Sequence, residues 1–505
     1  MPIPPRTPVL VGGGQVQQRP ADPTAAREPV DLLVEAARAA ESDAGGALLP
    51  RVDTVAVVQL VSWRYPDPGA ALARRLGIEA RTTITTTVGG NSPQMLVNRL
   101  APAIERGEHD VVLLGGAECV HTRWRARRSE SRTHLSWSEE QDPPCPIVWG
   151  DDRPGSSQYE MAHLAVAPTQ VYPLFETALR AAAGRGIDEH QVFVSELWSR
   201  FAAVAADNPN AWSRVAYTPE EIRTVTPDNR MVTFPYPKRM CANIDVDQAA
   251  ALLLCSYERA VEAGVPEDRM VFPLAGADAA DHYFFTERDS LAASPAIAAV
   301  GRHVLAAAGL GIDDVARFDL YSCFPSAVQL AMGALGLGGV PAGDERPLTV
   351  TGGLAFAGGP TNDYVTHSIA QMMQELRADP GSVGMVTALG WYATKHSAGL
   401  YSTRPPAGGF ARVDPAVTQA EVDALPSREP AGACTGKVEV EATSVAFERD
   451  GTPSHAIVAG LTPDGRRALA TTRDASLLAS MVEEPWEGRA ARLRAEDGDT
   501  NVVDA

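Results

Sequence analysis

Cysteine is scarce in this chain: six in 505 residues, at Cys119, Cys145, Cys241, Cys255, Cys323 and Cys434, none of them paired as C-x-x-C. That scatter excludes a disulfide framework and a zinc site, and predicts mostly buried thiols. Long apolar runs are missing too, so no segment of the sequence is read as spanning a bilayer. The opening MPIPPRTPVLVGGG has no basic segment followed by an apolar core, and a cytoplasmic protein is expected. Positive charge is short: 44 Lys and Arg face 63 Asp and Glu, for a net charge of −19. A general nucleic-acid or anionic-membrane surface is therefore excluded.

What is present describes a folded protein. Apolar residues make up 45% and charged residues 21%, the balance of a globular chain rather than a disordered one. The length predicts two to four domains. One basic cluster, RWRARR from Arg123 to Arg128, stands against the acidic background. Its two readings are a solvated loop and a patch for a phosphorylated cofactor.

The same order of elements occurs twice. In the first half the alanine-rich helix pattern DLLVEAARAAESDAG leads into the strand pattern VDTVAVVQLVS, and in the second PAIAAVGRHVLAAAGLG leads into ARFDLYSCF. Apolar residues at three- and four-residue spacing mark the helices, and short β-branched runs mark strands covered on both faces. The next elements repeat as well. VGGNSPQMLVNRLAPAIERG precedes the strand DVVLLGGAE, and AGGPTNDYVTHSIAQMMQELRADPG precedes SVGMVTALG. In each case a glycine pair, Gly89-Gly90 or Gly358-Gly359, stands before a helix, where backbone N–H groups are open to an anion or oxyanion.

The halves are predicted as residues 1–121 with 239–270, and 271–404. Between them residues 122–238 break the pattern with Trp, Pro and Arg, as an inserted loop domain would. After Arg404 the segments GKVEVEATSVAFE, SHAIVAGLTPDGRRALATT and GRAARLRAE alternate as strands, and residues 405–505 are predicted as a small antiparallel OB-like β-barrel.

Taken in order, LLGGAE, YSCF, GGLAFAGGP and TALGWYATKHSAGLYS resemble the thiolase superfamily over roughly residues 6 to 404. The resemblance implies a duplicated α/β fold, the five-layered αβαβα sandwich. More narrowly, YSCFPSAVQ resembles the H-D-C-F motif of the sterol-carrier-protein thiolase branch. TKHSAGLYS and the extra barrel are similar to actinobacterial thiolase-like proteins often labelled acetyl-CoA acetyltransferases.

The resemblance implies a cysteine nucleophile at the start of the first-half helix, and the family's C-x-S corresponds to Gly90-Asn91-Ser92. Its G-H-P loop, whose histidine activates that cysteine, corresponds to Gly358-Gly359-Pro360, with glycine in the histidine's place. A second cysteine is implied on the last loop, yet none occurs from Gly381 to Arg404. Ordinary thiolysis therefore lacks its three groups.

Of the residues that remain, Cys323 matches the motif cysteine, followed by Phe324, while Tyr321 and Ser322 replace the motif's first two residues. Cys323 is read as either an inert thiol or a site residue, His396 as a pocket base on the last loop or a structural residue, Ser92 as a pocket hydroxyl or an N-cap, and Tyr321 as a packed phenol or a proton carrier. Arg123, Arg125, Arg127 and Arg128 are candidates for the phosphates of CoA.

Three functions follow from the resemblance. The first is a CoA- or acyl-CoA-binding protein of lipid or sterol metabolism without ordinary thiolysis. The second is an acyl-CoA retro-aldolase or other carbon–carbon lyase using Tyr321 and His396. The third is a non-enzymatic scaffold for another acyl-CoA enzyme. No covalent cofactor and no metal is implied, and both monomer and homodimer are compatible with the sequence.

Overall fold

A computed structural model describes residues 2–129, 132–338, 346–496 and 498–504. Its first sheet contains β1 (Pro8–Gln17), β2 (Thr54–Val57), β3 (Thr82–Thr86), β4 (Val111–Cys119), β5 (Ile147–Trp149) and β6 (Asp247–Ser256), in the order β1-β6-β4-β2-β3-β5. Every residue of β4 and β6 is buried, which explains their near-continuous apolar sequences. The second sheet contains β7 (Phe272–Ala280), β8 (Val315–Asp319), β9 (Val383–Gly390), β10 (Lys395–Ser402) and β11 (Ala411–Arg412), in the order β8-β9-β10-β7-β11.

The duplication is visible in the pairing. The run β1-β6-β4-β2 and the run β7-β10-β9-β8 are each joined by two antiparallel contacts and then one parallel contact. Helices Ser92–Glu105 and Tyr364–Ala378 touch strands of both sheets and form the middle layer. Pro29–Ala44 covers the outer face of the first sheet and Pro295–Ala308 that of the second, which completes five layers.

The stretch 122–238 is woven into its neighbours. It carries helices Pro168–Ala182 and Ile187–Asp207, but β5 pairs with β3 of the first sheet, and a hairpin of Met231–Phe234 and Tyr236–Pro237 joins the C-terminal sheet. Residues 405–435 likewise depart from the expected boundary. There β11 extends the edge of the second sheet, and helix Pro415–Asp423 packs on β7 and on Pro295–Ala308.

The barrel itself begins at Gly436, with β12 (Gly436–Phe447), β13 (Pro453–Leu461), β14 (Arg467–Thr472), β15 (Ala490–Glu496) and β16 (Thr500–Val503). The ring closes as β12-β13-β14-β16-β15 and back to β12, with the helix Ala475–Glu483 between β14 and β15. This is an OB-like order, and its β14–β16 contact is parallel rather than antiparallel. Val438, Val440, Val458 and Leu493 fill the interior, while Ala442, Ile457 and Leu469 belong to the main core.

Arg467 fastens the barrel to the second half. Its side chain is fully buried, pairs with both carboxylate oxygens of Glu441 at 2.8 Å, and donates to the carbonyls of Phe285, Thr286, Arg288 and Asp289. A guanidinium out of water requires this many acceptors.

Candidate functional site

The two glycine-pair loops and the β9–β10 turn converge on one another. The Gly89 N–H donates to Asn362 Oδ1 at 2.9 Å, and Asn362 Nδ2 donates to the Gln59 carbonyl at 2.7 Å. Asn362 follows Pro360 by two residues, so one side chain joins both loops. The Gly359 N–H donates to the Asn243 carbonyl at 2.8 Å, and the Asn243 N–H to the Leu354 carbonyl at 3.0 Å. In the β9–β10 turn Trp391 and Ala393 have φ of 59° and 48°. The Tyr172 hydroxyl holds this strained turn, donating to the Trp391 carbonyl at 2.8 Å and accepting from the Ala393 N–H at 3.1 Å.

Gly90 lies against the phenol of Tyr321. A Cβ at Gly90 would stand 2.3 Å from Tyr321 Oη and 2.5 Å from the Leu389 carbonyl oxygen. Gly358 has φ +109° and a Cβ there would meet Gln248 Oε1 at 2.1 Å, whereas a Cβ at Gly359 would find its nearest neighbour, the Asn243 carbonyl oxygen, at 3.4 Å. The two halves thus differ: residue 90 is closed to a side chain and residue 359 is open to one.

Tyr321, Ser322, Cys323 and Phe324 follow β8 and face this cluster. The Tyr321 N–H donates to Thr387 Oγ1 at 2.9 Å, and Ser322 Oγ accepts from the Leu354 N–H at 3.4 Å. Phe324 stacks on Tyr172 with centroids 4.7 Å apart. Burial pushes the Cys323 thiol up to about 12, which leaves it protonated and weakly nucleophilic near neutral pH. Burial, and then Cys323, pushes the Tyr321 phenol up as well.

Three expected placements are corrected. His396 stands on β10 rather than in a loop, with Nε2 3.0 Å from the Ala393 carbonyl and 3.3 Å from Asp281 Oδ2. Alternation along β10 turns it away from Lys395, Gly399 and Tyr401, which face the Ser92–Glu105 helix. Ser92 is the first helical residue, not the N-cap, and its hydroxyl donates to the Thr87 carbonyl at 3.3 Å. The arginine cluster is the helix Val120–Arg128, anchored by buried Thr122 and Ala126, rather than a loop. Within it Arg125 donates to the carbonyls of Pro20 and Ala21, and Arg128 lies over the Trp124 ring.

Sequence reasoning passed over Lys395, although the chain has only three lysines, Lys238, Lys395 and Lys437. Its Nζ donates to the carbonyls of Val88 at 2.6 Å and Asp151 at 3.1 Å, tying the β9–β10 turn to the first glycine loop. Burial pushes its ammonium down to about 8. Beside it Asn91 Oδ1 is a buried acceptor with no partner among the described residues. Among those residues no cluster of His, Cys, Asp and Glu is arranged to hold a metal, and no helix is long and apolar enough to cross a membrane.

Two layered sheets with paired loops at a shared helix layer define the thiolase fold, and the comparisons with known proteins agree. The chain is 33% identical to a monomeric SCP2-thiolase-like protein type 1 from Mycobacterium smegmatis, with a TM-score of 0.84 over 99% of each chain. It therefore belongs to the SCP2-thiolase-like proteins of type 1. The thiolase-like protein type 1 additional C-terminal domain matches residues 418–498.

More distant likenesses show the fold alone. The Ltp2-ChsH2(DUF35) aldolase is 20% identical with a TM-score of 0.58, over 79% of this chain and 99% of that one. Human mitochondrial 3-ketoacyl-CoA thiolase, solved in complex with CoA, is 17% identical with a TM-score of 0.55, over 79% of this chain and 98% of that one. No curated protein matches the sequence.

Proposed function

We propose that this protein binds CoA or an acyl-CoA and performs no ordinary thiolysis. The observation that carries this reading is the seat of Tyr321 Oη. It occupies the space that a nucleophile's Cβ would need at Gly90, while the loops around it remain tied together through Asn362 and Lys395. An acyl-enzyme needs a nucleophile at that point, whereas ligand binding does not. The unpartnered Asn91 Oδ1 gives a bound ligand's N–H or O–H a buried acceptor.

Isothermal titration with CoA, acetyl-CoA and a long-chain or steroid acyl-CoA tests the proposal, followed by product analysis. Binding with ligand recovered unchanged supports it. No heat with any of the three, from a folded protein, overturns it.

A second reading, carbon–carbon cleavage of a β-hydroxyacyl-CoA, is favoured by the same phenol, because Tyr321 Oη is the protonable group nearest Gly90 in the geometry described. His396 lines the same cavity as Tyr321, with its Nε2 held by the Ala393 carbonyl and Asp281, and would assist the phenol through its other ring nitrogen. Turnover that survives Tyr321→Phe undiminished would remove this reading.

A further inference from the structure

A second concavity is built on the basic cluster of the sequence. The helix Val120–Arg128 and residues 132–135 border a cleft of about 550 Å³, lined by Trp63, Arg123, Arg127, Arg132, Thr133 and His134. Arg123 and Arg127 are four residues apart and share one helix face, where like charges repel. Burial and then the neighbouring Arg127 lower the Arg123 guanidinium below its usual range. Among the described residues no carboxylate lies within ion-pair distance of Arg123, Arg127 or Arg132. Three cations thus gather on a protein whose net charge is −19.

Hydrogen bonds and ring contacts hold the aromatic side of the cleft. Trp63 Nε1 donates to the Ser138 carbonyl at 2.8 Å, and its ring meets Trp137 edge-on at 5.1 Å. Arg123 lies over the Trp63 ring, 5.9 Å from its centroid. The Arg132 N–H donates to the Ser129 carbonyl at 3.0 Å, and Ser129 Oγ lies 2.9 Å from Thr133 Oγ1. Cations beside a hydrogen-bonded indole suit a ligand with phosphate charge at one end and a flat ring at the other.

The cleft communicates with the glycine loops through one buried carboxylate. Glu118 accepts from the N–H groups of Val61 and Ser62, which lead into Trp63, and from Thr361 Oγ1, which follows Pro360.

We infer that this cleft binds a phosphorylated nucleotide through Arg123, Arg127 and Arg132, with Trp63 as the aromatic wall. It rests on the CoA reading only for the identity of the nucleotide. Of the four arginines singled out in the sequence, Arg125 and Arg128 take no part, and Arg132 joins the set.

The test titrates the full chain with inorganic pyrophosphate, ADP and CoA, reading heat and tryptophan fluorescence. The Arg123→Gln/Arg127→Gln/Arg132→Gln variant is compared with Arg125→Gln, and circular dichroism confirms that both are folded. Expected are ADP and pyrophosphate binding that weakens as salt rises from 50 to 200 mM, a loss of at least tenfold in the triple variant, and no loss in Arg125→Gln. Absence of ADP and pyrophosphate binding overturns the inference, as does a triple variant that binds them unchanged. ADP binding without CoA binding sustains the cleft and removes the CoA reading. CoA binding that the triple variant retains, with no site for ADP, does the reverse.

Discussion

Replacing Gly90 with alanine puts a methyl carbon 2.3 Å from Tyr321 Oη and 2.5 Å from the Leu389 carbonyl oxygen. The two neighbours yield differently. The phenol ends a side chain and can swing, but the carbonyl belongs to β9, where Leu389 is paired with His396 of β10. Forcing an extra carbon into such a space costs ~1–3 kcal/mol. With a urea slope of about 3 kcal/mol per M, the unfolding midpoint falls by roughly 0.3–1 M.

Tyr321→Phe in the same background removes the Oη collision but leaves the ring carbon Cζ at 2.8 Å. The pair is therefore non-additive, with a coupling of about 0.5–1.5 kcal/mol, short of full recovery because the ring carbon and the carbonyl stay. Gly90→Cys consequently gains no thiolysis of acetoacetyl-CoA, read as loss of enolate absorbance. An unchanged midpoint in Gly90→Ala, or strict additivity with Tyr321→Phe, refutes the packing argument. Thiolysis by Gly90→Cys would refute the functional step built on it.

Two further outcomes follow from buried groups. Burial holds the thiols of Cys241, Cys255 and Cys323 near 12, against 9.0 for an unburied thiol. Between those values the unfolded chain has lost protons that the folded chain keeps, so stability falls as pH rises from 9 to 12, by about 1.4 kcal/mol per pH unit for each thiol. Cys323→Ala reduces that slope by one thiol's share in urea titrations across the window, and an identical slope counts against the burial. Arg467→Met leaves Glu441 and the Thr286 carbonyl without the guanidinium that pairs with them, and costs ~3–5 kcal/mol by urea midpoint. A change below about 1 kcal/mol would show that the clamp is dispensable.

The layered fold was legible because its strands are covered on both faces and its helices repeat in the same order. VVLLGGAE and GMVTALG need no partner to be read as buried strands. The site was less legible because its contacts cross the chain. The closeness of Tyr321 to Gly90 depends on how the second half docks on the first, and no local pattern encodes that. His396 was misplaced for a different reason: KHSAGLYS has small and polar residues at alternate positions and does not advertise a strand, yet β10 pairs on both sides. RWRARR hid its helix because only Thr122 and Ala126 mark the buried face. Arg132 escaped notice because it lies beyond the run.

The hairpin of the inserted stretch finds its partner late. Phe234 and Thr233 pair with Val445 and Ala446 of β12, so the segment that completes their sheet leaves the ribosome long after they do. At 5–20 residues per second the wait is roughly 10–40 s. During that interval the hairpin presents an open edge, and the faces of Ala442, Ile457 and Leu469 that finish the main core do not yet exist. The barrel from β12 onward therefore acts during biosynthesis as the closing piece of the body that precedes it, and a message truncated before β12 yields a chain with an unsealed core.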